Sequence, residues 1–404
     1  MNYDLVGIGN ALVDIEVQVD DAFIEQASVT KGGMTLSSIE DQNKILESLQ
    51  SKPKKISSGG SAANTVHGAS VLGAKSYYLG RVANDAHGKH YTEDMKSCGV
   101  GFSGPGADVE GTGTCVILIT PDTERTMLTN LGVSSSLHPE NVDETIVKNS
   151  RGVYVEGYLW TGDETREAGL HMAKIAKKEG IPVSFTLSDA FVVNTFKESL
   201  VDFIQWNVDI LFCNEVEAQA MTGEDDSLAA FKKLQAMVDT VFLTLGSKGS
   251  LVGKSGSEPV QVKTFPVTAV DTTGAGDLFA AGALYGVLGN HSLEESAIIG
   301  SYCAAQVVSH LGGRLPLHSH TDATKILSEY KKLYPNLALG FGNGSNPNST
   351  APTTQQQELV TLKIFEELLS SETKNYKKFE QLLPELLEIY PNMIAEKSWY
   401  NSFE

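Results

Sequence analysis

The sequence has few cysteines, and they show no pairing motif. Its 404 residues contain four cysteines, Cys98, Cys115, Cys213 and Cys303, which are widely spaced and form no C-x-x-C pattern. This spacing is typical of reduced, buried thiols and argues against a disulfide framework or a zinc site. We therefore expect a cytoplasmic protein.

Basic residues and long apolar runs are also scarce. Lys and Arg number 31 against 50 Asp and Glu, a net charge of −19, and no basic cluster stands out. Because binding to a phosphate backbone depends on positive charge, we expect no nucleic-acid partner. The first residues, MNYDLVGIGN, lack the charged and apolar regions of a signal peptide, and no apolar run is long enough to span a bilayer. We therefore expect no membrane partner either, and an anionic ligand would depend on local N–H groups and a few cations.

The pattern of apolar residues indicates an α/β fold. Short apolar runs at 153–155, 182–187, 210–212 and 240–245 alternate with helical stretches such as 166–179 and 227–238. This alternation predicts βαβ units around a mostly parallel sheet. Around residues 12–36 and 101–129 the pattern changes to alternating strands with glycine-rich turns. These two segments predict a small β lid over one edge of the main domain.

The composition changes after Pro335. We interpret residues 1–335 as the main domain and residues 336–355 as a flexible linker, because the stretch GFGNGSNPNSTAPTTQQQ cannot build a core. Beyond it, Leu359, Leu362, Phe365 and Leu369 repeat at helical spacing, which predicts a small acidic helical module over residues 356–404. Its role is open: it could dock on the main domain, mediate self-association, bind a partner, or be a fused segment. We expect the protein to be a monomer or a homodimer.

A glycine-rich turn leads into an apolar helix in the stretch TAVDTTGAGDLFAAG, and Asp277 lies at the junction. Glycines before a helix start let several N–H groups converge on an anion, which the helix dipole also favours. Two readings of Asp277 remain open from these residues alone. It is either an ordinary helix cap or a general base beside a phosphate-binding turn.

Two further stretches carry polar groups suited to binding hydroxyls. Gly60 and Asn64 lie where the small residues SSGGSAANT begin a helix, and Asn10 and Asp14 lie at a strand end near the predicted lid. Paired glycines admit close approach of a ligand, and a polyhydroxylated ligand would supply partners for a buried Asp. The alternative is that these residues form ordinary turns and caps.

Two more segments follow predicted strands directly. Asn214 and Glu217 offer the hard oxygen ligands, or their water network, that a magnesium–phosphate site needs, although a first-turn Glu is also a common solvated residue. The segment 244–249, TLGSKG, ends a strand in a loop that could lie along a nucleotide or bind nothing.

Taken together and in order, these elements resemble the PfkB-type carbohydrate kinases of the ribokinase superfamily. The resemblance covers about residues 3–333 and rests on Gly59-Gly60, GRVAND at 80–85 with Gly88, N-x-x-E at 214–217, TLGS at 244–247 and DTTGAGD at 271–277. Within that family, GNALVD at 9–14, RTMLTNL at 125–131 and FTLSDAF at 185–191 look most like adenosine kinases.

The resemblance implies a fold and an activity. The fold would be a ribokinase-like three-layer α/β sandwich with a mostly parallel sheet and a small β lid, with the α-helical tail as an addition. The activity would be transfer of a phosphoryl group from ATP to a primary hydroxyl, with adenosine as the acceptor, Mg²⁺ as cofactor and a monovalent cation such as K⁺ as a further candidate. Ribokinase, fructokinase or another sugar or nucleoside kinase activity is the alternative, and a catalytically silent nucleoside-binding or scaffold protein is an alternative of a different class.

The resemblance also implies a role for each matched position. Asp277 would be the catalytic base, with Gly274, Ala275 and Gly276 forming the anion hole and Arg125 lying near the transferred phosphate. Substrate hydroxyls would be held by Asn10, Asp14, Gly60, Ser61 and Asn64, and Met127, Thr129 and Phe191 would flank the nucleobase. ATP would lie along Asn214, Thr244, Gly246, Ser247 and Gly249, and Asn214 and Glu217 would hold the magnesium through water.

Two positions depart from the adenosine kinase pattern. Tyr158 or Leu159 stands where a Phe is expected to stack on the purine, and Ala63 stands where Gln is frequent. The resemblance to a kinase is therefore more specific than the resemblance to an enzyme for purine nucleosides.

Overall fold

The computed structural model describes residues 2–104, 106, 110–122, 124–315, 322–335 and 337. The strands are β1 (Leu5–Ile8), β2 (Leu12–Gln18), β3 (Met34–Leu36), β4 (Lys55–Gly59), β5 (Ser76–Leu79), β6 (Gly101–Phe102), β7 (Thr112–Ile119), β8 (Arg125–Gly132), β9 (Val153–Glu156), β10 (Val183–Thr186), β11 (Ile210–Asn214), β12 (Thr240–Thr244), β13 (Ser250–Lys254) and β14 (Val260–Val262). The helices are α1 (Asp21–Gln26), α2 (Ile39–Ser48), α3 (Ser61–Val71), α4 (Ala86–Ser97), α5 (Glu144–Lys148), α6 (Asp163–Lys178), α7 (Ala190–Asn207), α8 (Glu215–Thr222), α9 (Ser227–Gln235), α10 (Ala275–Leu288), α11 (Leu293–Val308) and α12 (Ala323–Leu333). Apart from Leu337, the predicted linker at 336–355 and the helical module predicted at 356–404 lie outside these residues.

The larger sheet has nine strands in the order β14-β13-β12-β11-β10-β9-β1-β5-β6. Its strands from β12 to β6 are parallel, and β13 and β14 continue it as antiparallel strands. The central strands β1 and β9 are buried along their whole length, as expected for strands covered on both faces. The predicted mostly parallel sheet is confirmed.

Helices cover both faces of this sheet. On one face, α3, α10 and α11 pack around Val66, Leu278 and Ile299, and α10 is apolar enough on all sides to be almost entirely buried. On the other face, α6 and α7 cover a cluster that contains Trp160 and Phe203. The arrangement is the three-layer α/β sandwich that the sequence predicts.

The smaller sheet is the lid, with strand order β3-β8-β7-β2-β4. Its strands β7 and β8 pair antiparallel, and β2 pairs with β7 in parallel and with β4 antiparallel. Asp85, the N-cap of α4, ties the lid to the main domain because its carboxylate accepts hydrogen bonds from both the N–H and the hydroxyl of Thr112.

The observed lid differs from the predicted segments 12–36 and 101–129 at two places. Strand β4 belongs to the lid sheet, although its residues lie between the two predicted segments. Strand β6, at residues 101–102, was predicted in the lid but pairs with β5 at the edge of the larger sheet. The residues of β4, KISSG, carry one large apolar side chain, so they show no alternation, and their place is set by backbone pairing of Leu12 with Gly59. Strand β6 has only two residues and gives no periodic signal at all.

Within the described part of the chain, every helix is too short or too polar to serve as a membrane span. The four cysteines that the sequence contains are all free thiols.

Candidate active site

A cavity of about 520 Å³ lies at the carboxyl ends of the parallel strands and beneath the inner face of the lid. In open parallel sheets this edge is where ligands bind, because loops and helix starts converge there. The lining residues on the main-domain side are Asn10, Gly60, Ser61, Asn64, Glu156, Tyr158, Ser188, Asp189, Asn214, Glu217, Gly274 and Asp277. Those on the lid side are Leu12, Asp14, Met34, Leu36, Cys115, Ile117, Arg125, Met127, Thr129 and Leu131.

The predicted anion turn forms one part of the cavity wall. Gly274 is the N-cap of α10 and has φ +68°, a left-handed conformation that favours glycine. A Cβ at Gly274 would lie 2.4 Å from the carbonyl oxygen of Gly313, so the tight turn has no room for a side chain. Ala275 and Gly276 follow in the first helical turn, where N–H groups have no intrahelical acceptor and the helix dipole is positive. The Ala275 N–H donates a long hydrogen bond, 3.3 Å, to the carbonyl oxygen of Thr272, which precedes the helix. The turn therefore has the geometry of an anion-binding site.

Asp277 lies in that first turn and is held by two side chains of α3. Its Oδ1 accepts a hydrogen bond from Ser61 Oγ at 2.7 Å, and its Oδ2 accepts one from Asn64 Nδ2 at 3.0 Å. Burial raises the pKa of Asp277 to about 6, although the hydrogen bonds from Ser61 and Asn64 oppose the increase. Among the described residues its carboxylate accepts no hydrogen bond from the N–H groups of α10, so its side chain does not cap that helix. A carboxylate with this pKa is ionised at neutral pH and can accept a proton.

The same cavity brings Asn10, Asp14 and Gly60 together. Gly60 has φ +96°, and a Cβ there would lie 2.2 Å from the carbonyl oxygen of Asn10. Only glycine therefore lets the two loops approach so closely. Asp14 is 7% exposed, and burial together with the neighbouring Glu16 raises its pKa to about 7.

Glu156 organises these loops, a role that the sequence interpretation missed. Its Oε1 accepts a hydrogen bond from the N–H of Asn10 and its Oε2 one from the N–H of Ala62, each at 2.7 Å. Burial raises its pKa to about 8 despite these two backbone bonds. A glutamate that ends an otherwise apolar strand is an available sequence signal, because a buried carboxylate needs partners.

The raised pKa values of Asp14 and Glu156 predict that the ligand-free protein loses stability as the pH rises. Asp14 and Glu156 have ordinary pKa values of 3.8 and 4.5 and values of about 7 and 8 in the folded protein. Between those limits the folded state binds more protons than the unfolded chain, so the free energy of unfolding decreases with increasing pH. We expect the melting temperature to be at least about 3 °C higher at about pH 6 than at about pH 8.5.

The measurement is thermal unfolding at constant ionic strength and without ligand. Asp271, whose pKa is lowered, releases its proton below this window. Burial lowers the pKa of His67 well below its ordinary value of 6.5, so His67 opposes the trend near that pH, but it is one group against two carboxyls that titrate across the whole window. Asp14→Asn removes one titrating group, so it should reduce the slope, whereas an equal or higher melting temperature at the alkaline pH would contradict the assignment.

Arg125 connects the lid to the segment that precedes the anion turn. From β8 its guanidinium makes a bidentate ion pair with Asp271, at 2.7 Å from Nε to Oδ1 and 2.8 Å from Nη2 to Oδ2. Burial favours protonation of Asp271, but the N–H groups of Gly312 and Thr273 and the charge of Arg125 outweigh it and lower the pKa. Glu16 Oε1 lies 3.9 Å from Arg125 Nη2. Among the described residues Arg125 Nη1 is buried without a hydrogen-bond partner, and Arg125 lines the cavity, so it suits an anionic oxygen.

The lid provides an apolar wall for the cavity. Met127 and Thr129, which are predicted to flank the nucleobase, lie on this wall beside Ile117. Phe191 does not: it is 43% exposed at the start of α7 and is absent from the lining, where its neighbours Asp189 and Ala190 stand instead. The structure therefore does not bring Phe191 to the cavity, and its place beside the base stays a prediction. Of the two candidates at 158 and 159, Tyr158 lines the cavity and Leu159 is buried in the core.

The predicted nucleotide side begins at the ends of β11 and β12. Asn214 and Glu217 form a capping box at the start of α8, in which the N–H of Glu217 donates to Asn214 Oδ1 and the N–H of Asn214 donates to Glu217 Oε2. Asn214 Nδ2 also donates to Glu217 Oε1. Burial raises the pKa of Glu217 to about 8. Beyond β12, Gly246 and Ser247 are exposed and Thr244 is half-buried, in an open region outside the cavity lining. Gly249 closes that turn with φ +100°.

The donor set near Glu217 fits a magnesium ion only in part. In the described residues no three His, Cys, Asp or Glu side chains converge on one point. Magnesium usually keeps several waters and binds through one or two carboxylates together with substrate phosphates. Glu217 and Asn214, which line the same cavity as the anion turn, fit that mode of binding.

Comparison with known proteins places these features in a family. The profile described as pfkB family carbohydrate kinase matches residues 34–320. The crystal structure of adenosine kinase from Sinorhizobium meliloti superposes with a TM-score of 0.76 and 36% sequence identity, over 81% of this chain and 99% of that one. This likeness confirms the predicted ribokinase-like fold.

Two curated relatives differ in their named substrates. Adenosine kinase of Saccharomyces cerevisiae is 27% identical over 336 residues, which cover 78% of this chain and 98% of that protein. Guanosine-inosine kinase of Escherichia coli strain K12 is 32% identical over 264 residues, which cover 61% of this chain and 58% of that protein. The relatives thus agree on kinase activity and differ in the nucleoside.

Proposed function

The chain belongs to the pfkB family of carbohydrate kinases, and we propose that it transfers the γ-phosphoryl group of ATP to the 5′-hydroxyl of adenosine. That the protein is a carbohydrate or nucleoside kinase follows from the family and its relatives. The observation that carries the finer proposal is the position of Asp277, which directly follows the anion turn and lines the same cavity as Asn10 and Asp14. A hydroxyl of an acceptor bound by these residues would lie beside a base and face a phosphate held by the turn.

The reaction would proceed by in-line transfer. The 5′-oxygen bonds to the γ-phosphorus while the bond from that phosphorus to the β–γ bridging oxygen breaks, releasing ADP, and the hydroxyl proton passes to Asp277. The N–H groups of Gly274, Ala275 and Gly276 and the guanidinium of Arg125 would stabilise the charge on the transferred oxygens. Magnesium, when bound with ATP, neutralises phosphate charge, and Asn214 and Glu217 would hold its waters.

The acceptor would be bound in two parts. Asn10, Asp14, Gly60, Ser61 and Asn64 would hold the ribose hydroxyls. The lid wall with Met127 and Thr129 would cover the base, and Tyr158 would contact it from the main domain. Apolar lining of this extent supports a nucleoside over a free sugar, because a sugar alone would leave the lid wall in contact with water.

We expect this division to appear as a preference for nucleosides. Adenosine should exceed ribose and fructose by about 100-fold in kcat/KM, because burying a nucleobase contributes roughly 2–3 kcal/mol. The measurement is ADP formation from ATP with adenosine, inosine, guanosine, ribose and fructose as acceptors. A preference for inosine or guanosine would identify the purine differently, equal rates with ribose would favour a sugar kinase, and no ADP with any acceptor would favour a binding or scaffold protein.

The role of Asp14 is tested separately. Asp14→Ala should raise the KM for the acceptor by about 10- to 100-fold, because a hydrogen bond to a charged group contributes roughly 1.5–3 kcal/mol. The KM for ATP should stay unchanged. Asp163→Ala is the matched control, since Asp163 is 90% exposed on α6 and is not among the residues that line the cavity. Unchanged acceptor KM and turnover in Asp14→Ala would rule out the role.

Three further proposals accompany this function. The protein is cytoplasmic, in keeping with its free thiols and its use of ATP.

The protein is a monomer or homodimer, and residues 356–404 serve in its association and not in phosphoryl transfer. A chain that is cut after Tyr334 should therefore retain the turnover number of the full chain. A requirement for K⁺ is tested by replacing KCl with tetramethylammonium chloride at equal ionic strength.

A further inference from the structure

Arg314 lies behind the proposed base, on the loop that follows α11. Its side chain is 12% exposed and makes contacts with both α3 and α4. Its Nε donates a hydrogen bond to Asn64 Oδ1 at 3.1 Å, and its Nη1 pairs with the carboxylate of Asp94. The guanidinium also lies 5.9 Å from the ring centre of Tyr91. Arg314 is therefore held firmly at a buried position that the sequence motifs did not single out.

The contact with Asn64 determines which end of that amide faces Asp277. An asparagine amide has an acceptor end and a donor end, whereas a guanidinium can only donate. Because Arg314 takes the acceptor end, the donor end of Asn64 is left to bond Asp277 Oδ2 at 3.0 Å. The reversed amide would place an oxygen against the carboxylate of Asp277 and lose both hydrogen bonds.

Arg314 also contributes a positive charge to a strongly acidic surrounding. The titratable groups that interact with Asp277 include Asp14 on β2, Tyr154 and Glu156 on β9, Tyr158 after β9 and Glu217 on α8. Those that face Arg314 itself include His67 on α3 and Tyr91 and Asp94 on α4. Arg314 lowers the pKa of Asp277 and that of Asp14, against the larger effect of burial. A neutral side chain at this position would leave the base more easily protonated.

We propose that Arg314 is a positioning residue for phosphoryl transfer, which acts through Asn64 to fix the carboxylate of Asp277 toward the acceptor hydroxyl. This inference rests on the proposed function of Asp277 as the base. It goes beyond that function because Arg314 itself contacts neither reacting group. The ion pair with Asp94 on α4 holds the guanidinium in the position from which its Nε donates to Asn64.

Two variants separate the charge of Arg314 from its hydrogen bonds. Arg314→Gln keeps a hydrogen-bond donor but removes the charge. The acid limb, which is the decline of the single-turnover rate on the acid side of its pH profile, should therefore move to higher pH. The rate at about pH 7 should fall roughly 10-fold. Arg314→Lys keeps the charge but loses the planar fork, so the rate should fall while the acid limb stays in place. Arg151→Met is the control, because Arg151 makes an ion pair with Asp4 outside the active-site cavity and should change neither.

The outcomes distinguish this inference from the proposed function. If Asp277→Asn abolishes the rate while both Arg314 variants keep the wild-type rate and acid limb, the inference is wrong and the base assignment stands. If Asp277→Asn is active, the base assignment itself is wrong. Should Arg314→Gln fail to fold, Arg314→Lys alone decides, because a wild-type single-turnover rate in that variant overturns the proposal and a reduced rate with an unmoved acid limb supports it.

Discussion

Asp277→Asn is expected to lower the turnover number by at least about 100-fold, because asparagine keeps the shape of the side chain but cannot accept the hydroxyl proton. Affinity for ATP should be largely retained, since the N–H groups of the anion turn belong to the backbone. The measurement is the single-turnover rate together with nucleotide binding. Asp202→Asn, at an exposed site on α7, is the control and should behave as wild type.

The pH dependence of the wild type adds a second test of the same residue. With a pKa of about 6, Asp277 is increasingly protonated as the pH falls below that value, so the rate should decline on the acid side. The same limb should be absent from any residual rate of Asp277→Asn. Near-normal turnover in that variant, under conditions where chemistry limits the rate, would show that another group accepts the proton.

Arg125→Met is expected to destabilise the folded protein by about 3–5 kcal/mol, because it leaves the buried carboxylate of Asp271 without its cation. Asp271 is fully buried, and Glu16, 4% exposed, would lose the same neighbour. Turnover should fall as well, since the guanidinium faces the place proposed for the transferred phosphate. Urea unfolding gives the stability, and the rate is measured under conditions where the variant remains folded.

A double-mutant cycle separates the two effects of Arg125. Asp271→Asn combined with Arg125→Met removes the unpaired charge, so the double variant should be more stable than the sum of the single changes predicts. Its turnover should nevertheless remain low. Arg166→Met, which breaks a partly exposed ion pair with Asp163, is the control and should cost at most about 1 kcal/mol. Additive stabilities in the cycle would contradict the coupling of Arg125 to Asp271.

The parts of the fold that could be predicted are those with long, regular signals. The alternation of apolar runs and helices predicted the parallel sheet, and glycines at 60 and 274 marked turns that only glycine can form. Strands β4 and β6 could not be placed, because their pairing depends on distant backbone and not on their own side chains. Phe191 could not be placed either, since the rotation of a helix about its axis decides which side chain enters a cavity.

The candidate site likewise contains residues that sequence motifs predict and residues that they do not. Asn10, Asp14, Ser61, Asn64 and Asp277 were predicted from motifs, and the structure brings them to one cavity. Glu156 and Arg314 were missed because each acts through another group, Glu156 on backbone N–H groups and Arg314 on Asn64. Such contacts join residues that are 94 to 250 positions apart, so no local sequence pattern reports them.

Transfer of a phosphoryl group from ATP to the 5′-oxygen of adenosine, with Asp277 as the base, can be followed directly by ³¹P NMR. The full chain reacts with ATP, magnesium and adenosine, and the same reaction of Asp277→Asn is followed beside it. We expect equal amounts of 5′-AMP and ADP with the wild type and a strongly reduced amount of both with the variant. Inorganic phosphate in place of 5′-AMP, or equal formation of 5′-AMP by both proteins, would contradict this expectation.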